Sequence, residues 1–129
     1  MSITAQDLLA WAEQVSTRSP LQEVDARSCI SRAYYSSFHD CRDWHARWPA
    51  PGTFGTGYQP MGTHAALIAQ LANPTQIPEP DKLKSRRRGH MLRALRVMRV
   101  QADYDLNAPL TAESAQKALQ DSKKIFSVL

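Results

Sequence analysis

The sequence predicts an all-α fold: a helical bundle of four to five helices with a long central helix 2 and a Gly/Pro-rich loop after it, occupying 1–129 as a single domain. Three observations support this. Apolar residues recur at three- and four-residue spacing through most of the chain, the period of a helix face. No segment alternates apolar and polar residues as a half-buried strand does. Four of the five glycines and three of the eight prolines are gathered between Pro49 and Gly62, so the breaking residues are concentrated in one place.

Helix 1 is expected from about Thr4 to Val15. Thr4 suits the N-cap, Asp7 suits the first turn, and Leu8, Trp11, Ala12 and Val15 form the apolar stripe. Ser19 can cap the next helix with Pro20 at its first position. Helix 2 is expected from about Leu21 to Trp48, with Val24, Ile30, Ala33, Tyr34, Phe38 and Cys41 as its apolar side. Trp44 and Trp48 share a face, fit to cap the core or to meet a second copy. The loop from Pro49 to Gly62 reads as a flap near the polar face of helix 2. Helix 3, about Thr63 to Ala72, buries Leu67, Ile68 and Leu71 and is capped by Thr63. Helix 4, about Asp81 to Tyr104, carries a stripe of Met91, Leu95, Met98 and Ala102, widened by Leu92. Its Gly89 marks a bend or the close approach of another backbone. Thr111 can cap helix 5, whose inner side is Ala115, Ala118, Leu119, Ser122 and Phe126.

Helix 2 is the informative element. Arg32 and His39 are seven residues apart, so both side chains leave one face, about 10 Å apart along the axis. Asp25 continues the line one heptad earlier. A cation, an imidazole and a carboxylate in line need an explanation, because core stripes are normally apolar.

Composition narrows the function classes. No run of eighteen apolar residues exists, so no membrane partner is expected. The N-terminus lacks the basic flank and apolar core of a secretory signal. Cys29 and Cys41 lie on one helix about 18 Å apart, too far to bridge each other. Free thiols point to a reducing compartment, hence the cytoplasm. There is no Cys-x-x-Cys, His-Glu-x-x-His, EF-hand or Walker loop, and the four histidines are scattered, so neither metal nor cofactor is expected. Charge is uneven: 81–105 holds eight Lys and Arg against three Asp, more than the whole chain's net +4. A basic segment in a near-neutral chain favours a polyanion. Arg86, Arg87, Arg88, Arg93 and Arg96 are the candidate RNA-backbone contacts. A solvated face paired with acidic neighbours is the plainer alternative.

An Arg/His pair suits one reaction class that carries its own nucleophile. RNA supplies the 2′-hydroxyl; an imidazole can take its proton or protonate the leaving 5′-oxygen. A guanidinium can hold the phosphodiester and stabilise developing charge. The products are a 2′,3′-cyclic phosphate and a 5′-hydroxyl. The plainer alternatives are a structural histidine bonded to Asp43 or a serine, and an Arg32 ion pair with Asp25 or Asp40.

Ser31-Arg32-Ala33-Tyr34-Tyr35-Ser36-Ser37-Phe38-His39 resembles the second-helix signature of small bacterial HEPN-domain proteins, an Arg and a His separated by four to six residues. The stretches opening at Gly62-Thr63-His64 and closing at Asp103-Tyr104-Asp105 are also similar, so the resemblance runs from about Leu8 to the C-terminus. It implies a HEPN-like bundle and a metal-independent endoribonuclease serving as a toxin or defence effector. It further implies a homodimer whose paired Arg and His line one cleft, and a nucleotidyltransferase-type antitoxin as partner. The catalytic pair maps onto Arg32 and His39, with Asp25, Ser36, Tyr35 and His64 as supporting residues. Ala33 departs from the pattern, since many active members carry a polar residue there. The alternative is a non-catalytic HEPN dimer module that binds a partner protein or a nucleotide.

Overall fold

The computed structural model describes residues 2–55 and 62–127. Five helices follow in order: α1 (Ala5–Ser16), α2 (Glu23–His45), α3 (Thr63–Ala72), α4 (Glu79–Tyr104) and α5 (Ala112–Ser127). Among the described residues the only β pairing is an isolated bridge between Gly52 and Pro74. Nor is any helix among them long and apolar enough to cross a membrane.

The caps explain where the helices begin. Thr4 and Asp7 form the reciprocal box that starts α1: the Thr4 amide donates to Asp7 Oδ2 at 2.8 Å, and the Asp7 amide donates to Thr4 Oγ1 at 3.1 Å. α2 starts later than Ser19 and Pro20 predict. The Ser19–Pro20 bond is cis, and it is the Asp25 carboxylate that accepts the Gln22 amide at 3.0 Å and closes the first turn. At the other end α2 stops at His45, short of Trp48. Thr63 is the first residue of α3, with Gly62 in the cap position. α4 begins two residues early, because Pro80 is tolerated in a first turn that Glu79 and Asp81 also favour. Thr111 Oγ1 accepts the Ser114 amide ahead of α5.

α2 runs through the middle, packed by α1, α4 and α5, while α3 lies mainly against α4. It contributes Cys29, Ile30, Ala33, Tyr34, Phe38, Cys41 and Trp44 to one continuous core. Val24, expected on that side, is exposed. Buried hydroxyls tie the helices together. Ser37 and Ser122 share a 2.6 Å hydrogen bond, and Ser122 also donates to the Ala33 carbonyl. Ser85 donates to the Leu71 carbonyl at 2.7 Å, joining α4 to α3. Arg27 is a further tie. Its guanidinium donates to the carbonyls of Gln101 and Ala102 in the last turn of α4 and of Asp105 and Ala108 just beyond it.

Gly89 is where α3 and α4 come closest. A Cβ there would lie 3.1 Å from both the Ala72 amide nitrogen and Leu71 Cβ, so of the two sequence readings this is the close approach. The Gly/Pro-rich loop lies partly outside the described residues, at 56–61. Its described part runs back along the α3–α4 connection, where the Thr53 amide donates to Asn73 and the Thr75 amide to Pro51.

Candidate functional site

Three helices bring an aromatic-walled cluster of cations and imidazoles together: α2 supplies Arg32, Tyr34, Tyr35 and His39, α3 supplies His64, and α4 supplies Arg96 and Arg99. The Arg32 guanidinium lies 5.1 Å from the centre of the Tyr35 ring. Among the described residues its one hydrogen bond is a long 3.4 Å contact to neighbouring Ser31. No carboxylate pairs with it among the described residues. The two acids that sequence spacing offers are engaged elsewhere: Asp25 with Arg18 at 2.9 Å, and Asp40 with Arg88 at 2.8 Å.

His39 sits two turns further along the same face. Its ring centre is 6.5 Å from Tyr35 and 5.5 Å from Phe38, and it makes no hydrogen bond among the described residues. It borders a depression of about 350 Å³ shared with Thr4, Leu8, Arg42 and Asp43. Partial burial holds its pKa below the ordinary 6.5; the Arg42 charge acts the same way and Asp43 opposes it.

His64 reaches in from the first turn of α3. Its Nδ1 shares a 2.7 Å hydrogen bond with the Tyr34 hydroxyl, and its ring lies 4.3 Å from Phe38 and 5.8 Å from Tyr35, centre to centre. The two imidazoles thus pack on the same two aromatic rings. Burial first, then Arg99, Arg96 and His39, lower the His64 pKa. Burial pushes the Tyr34 hydroxyl up to about 12, so it keeps its proton through the physiological range.

Arg99 is the residue that sequence reasoning missed. It is only 6% exposed, and its guanidinium lies 5.1, 5.4 and 5.8 Å from the ring centres of Tyr34, Tyr35 and Tyr104. Asp103 pairs with it at 3.7 Å, and that carboxylate also accepts from Ser31. The signal was present. The buried face of α4 reads Ser85, Arg88, Leu92, Leu95, Arg99 and Ala102, at spacings of three and four. Two arginines occupy core positions in that series, displaced by one turn position from the expected Met91/Met98 stripe.

Several expected site residues lie elsewhere. Arg88 is fully buried, pairs with Asp40, and stacks 4.9 Å over Trp44, so it is not available to an RNA backbone. Arg86, Arg87 and Arg93 are exposed and Arg96 is half-buried, so four of the five candidate backbone contacts keep some exposure. Ser36 is buried and donates to the Ala5 carbonyl at 2.7 Å, which fastens α1 and leaves no hydroxyl for the Arg/His pair. Asp25 caps α2 and binds Arg18; it does not support Arg32. Tyr35 and His64 do join the pair.

The assembled groups are three guanidinium groups, two imidazoles and two phenols against Asp103. That combination suits an anion with a flat, stackable neighbour, such as a phosphodiester and its base. Among the described residues no three His, Cys, Asp or Glu side chains converge as metal ligands. No protein-family model, curated protein or solved structure matches this chain.

Proposed function

We propose that the chain is a HEPN-type, metal-independent endoribonuclease, a toxin or defence effector that works as a homodimer in the cytoplasm. The observation that carries this reading is an Arg32 guanidinium that pairs with no carboxylate among the described residues, held over Tyr35 on the face that presents His39. A guanidinium held over a ring, with most of its N–H donors not engaged by any described residue, can take up a phosphate.

In this reading His39 is the general base. Its lowered pKa leaves the imidazole neutral near pH 7, ready to take the 2′-hydroxyl proton. The 2′-oxygen attacks phosphorus, the bond to the 5′-oxygen breaks, and a 2′,3′-cyclic phosphate remains. Arg32 holds the non-bridging oxygens, with Arg99 and Arg96 adding positive potential from α4. Tyr35 offers a face for a base. Arg86, Arg87 and Arg93 extend the positive surface along which RNA arrives. Such an activity calls for a neutralising partner, and the resemblance suggests a nucleotidyltransferase-type antitoxin.

The test is cleavage of an end-labelled single-stranded RNA in EDTA by wild type, Arg32→Ala and His39→Ala, each checked for folding by circular dichroism. Cleavage leaving cyclic-phosphate ends, lost in both variants, supports the reading. Its absence across several RNAs with folded protein refutes it.

A second reading is a non-catalytic HEPN dimer module that binds a partner protein or nucleotide. One observation favours it: Val97, Val100 and Tyr104, three and four residues apart near the end of α4, are exposed, as is Leu106 just after it. Ala33, buried in the core, adds no polar group beside Arg32. Wild-type cleavage that depends on His39 separates the two readings.

A further inference from the structure

We propose that His64 is a second catalytic residue, the general acid that protonates the leaving 5′-oxygen, and that Tyr34 positions it through Nδ1. The inference rests on the ribonuclease reading and extends it. A single imidazole can serve RNA cleavage as base or as acid, but the two proton transfers occur on opposite sides of phosphorus. A second imidazole nearby divides the work.

Two features of the geometry favour such a group. The base candidate and the acid candidate pack on the same Tyr35 and Phe38 rings, from two different helices. Tyr34 is fully buried in α2, so its hydroxyl is a fixed point, and the 2.7 Å hydrogen bond holds the imidazole by Nδ1. That leaves Nε2 as the exchanging nitrogen. A buried group bonded to the far ring nitrogen is how an acid/base histidine is commonly oriented.

The step balances. The 2′-hydroxyl proton passes to His39 as the new P–O bond forms. The P–O5′ bond breaks, and the proton on His64 Nε2 passes to the 5′-oxygen. Neutral His64 keeps its Nδ1 proton, which it donates to Tyr34. The groups that face His64 are Tyr34, Tyr35 and His39 from α2 and Arg96 and Arg99 from α4. Burial and the two arginines lower the His64 pKa, so its imidazolium is the minor form in the free protein near pH 7; a bound phosphodiester offsets the arginine charge and restores part of it.

The experiment compares two substrates that differ in leaving group: a single-stranded RNA, and uridine 3′-(4-nitrophenyl phosphate), whose nitrophenolate departs without a proton. His64→Asn is expected to lose about 100-fold or more in kcat on RNA and about threefold or less on the nitrophenyl ester. His39→Ala loses activity on both. Tyr34→Phe keeps part of the RNA activity but shifts the alkaline limb of its pH–rate profile. Its His64 tautomer changes in the 15N NMR spectrum. Equal losses on the two substrates for His64→Asn, or no loss on either, overturn the assignment while leaving the Arg32/His39 reading standing. A wild-type chain inactive on both substrates overturns both.

Discussion

Arg88 donates to the Asp40 carboxylate across 2.8 Å while its own side chain is wholly buried, with Trp44 beneath the guanidinium and Cys41 Sγ 3.7 Å away. The pair is asymmetric, because the Asp40 side chain keeps 22% of its surface exposed. Removing the acid strands a buried charge; removing the base leaves an acid that water can reach. Asp40→Ala is therefore expected to cost about 3–5 kcal/mol, and Arg88→Met distinctly less. Urea unfolding of both single variants and the double variant checks this. Equal losses in the two single variants would refute the asymmetry.

Gly89→Ala offers a contrast with ordinary helix behaviour. On an open helix face this change adds about 1 kcal/mol of stability. Here the new methyl meets the Ala72 backbone nitrogen and Leu71 Cβ at 3.1 Å, and neither can move without shifting α3. A net loss of about 1–2 kcal/mol is expected. Because α3 carries His64, RNA cleavage should fall as well. Thermal unfolding with an activity assay reads both.

The histidines set a pH dependence of stability. Burial lowers the His45 pKa below 6.5, and its Nε2 has no hydrogen-bond partner among the described residues. His39 and His64 are lowered too. A lowered pKa means that the unfolded chain binds protons first as pH falls. Stability is then greatest above pH 6.5, declines as pH drops from 6.5 toward the lowered values, and levels off below them. Denaturant midpoints at pH 7.5, 6.5 and 5.5 should decrease in that order. His45→Met should flatten part of the decline, since Met brings no titrating group to the site.

RNA affinity should report which arginines are outside. Arg86→Ala, Arg87→Ala and Arg93→Ala are each expected to weaken binding and to reduce the slope of log K against log salt by about one. Arg88→Met should leave that slope unchanged, because Arg88 is inside the protein. Filter binding across a salt series distinguishes the two groups.

The five helices were legible because helical periodicity and breaking residues agree along the chain, as at Thr4 and Asp7. The start of α2 was harder. Ser19 and Pro20 make a strong local signal, but Asp25 supplies the competing cap from inside the helix. The burial of Arg88 and Arg99 was hidden because periodicity arguments place arginine outside, and only tertiary partners, Asp40 for one and tyrosine faces for the other, make the inside tolerable. Arg32 and His39 were legible from their spacing. His64 was named beside them only through the resemblance, because spacing along the chain cannot place it: that depends on how α3 lies on α4 at Gly89, a contact between residues far apart in the chain.

The Arg27 clasp turns the connection between α4 and α5 into a measured spacer. One guanidinium reads four carbonyls spread over 101–108, so their separations must match the fork of a single side chain. An inserted or deleted residue in that short stretch would pull carbonyls off the fork. The end of α4, with Arg99 and Asp103 on it, would then slide relative to Tyr34 and Tyr35. Length, more than residue identity, is the property this turn cannot change.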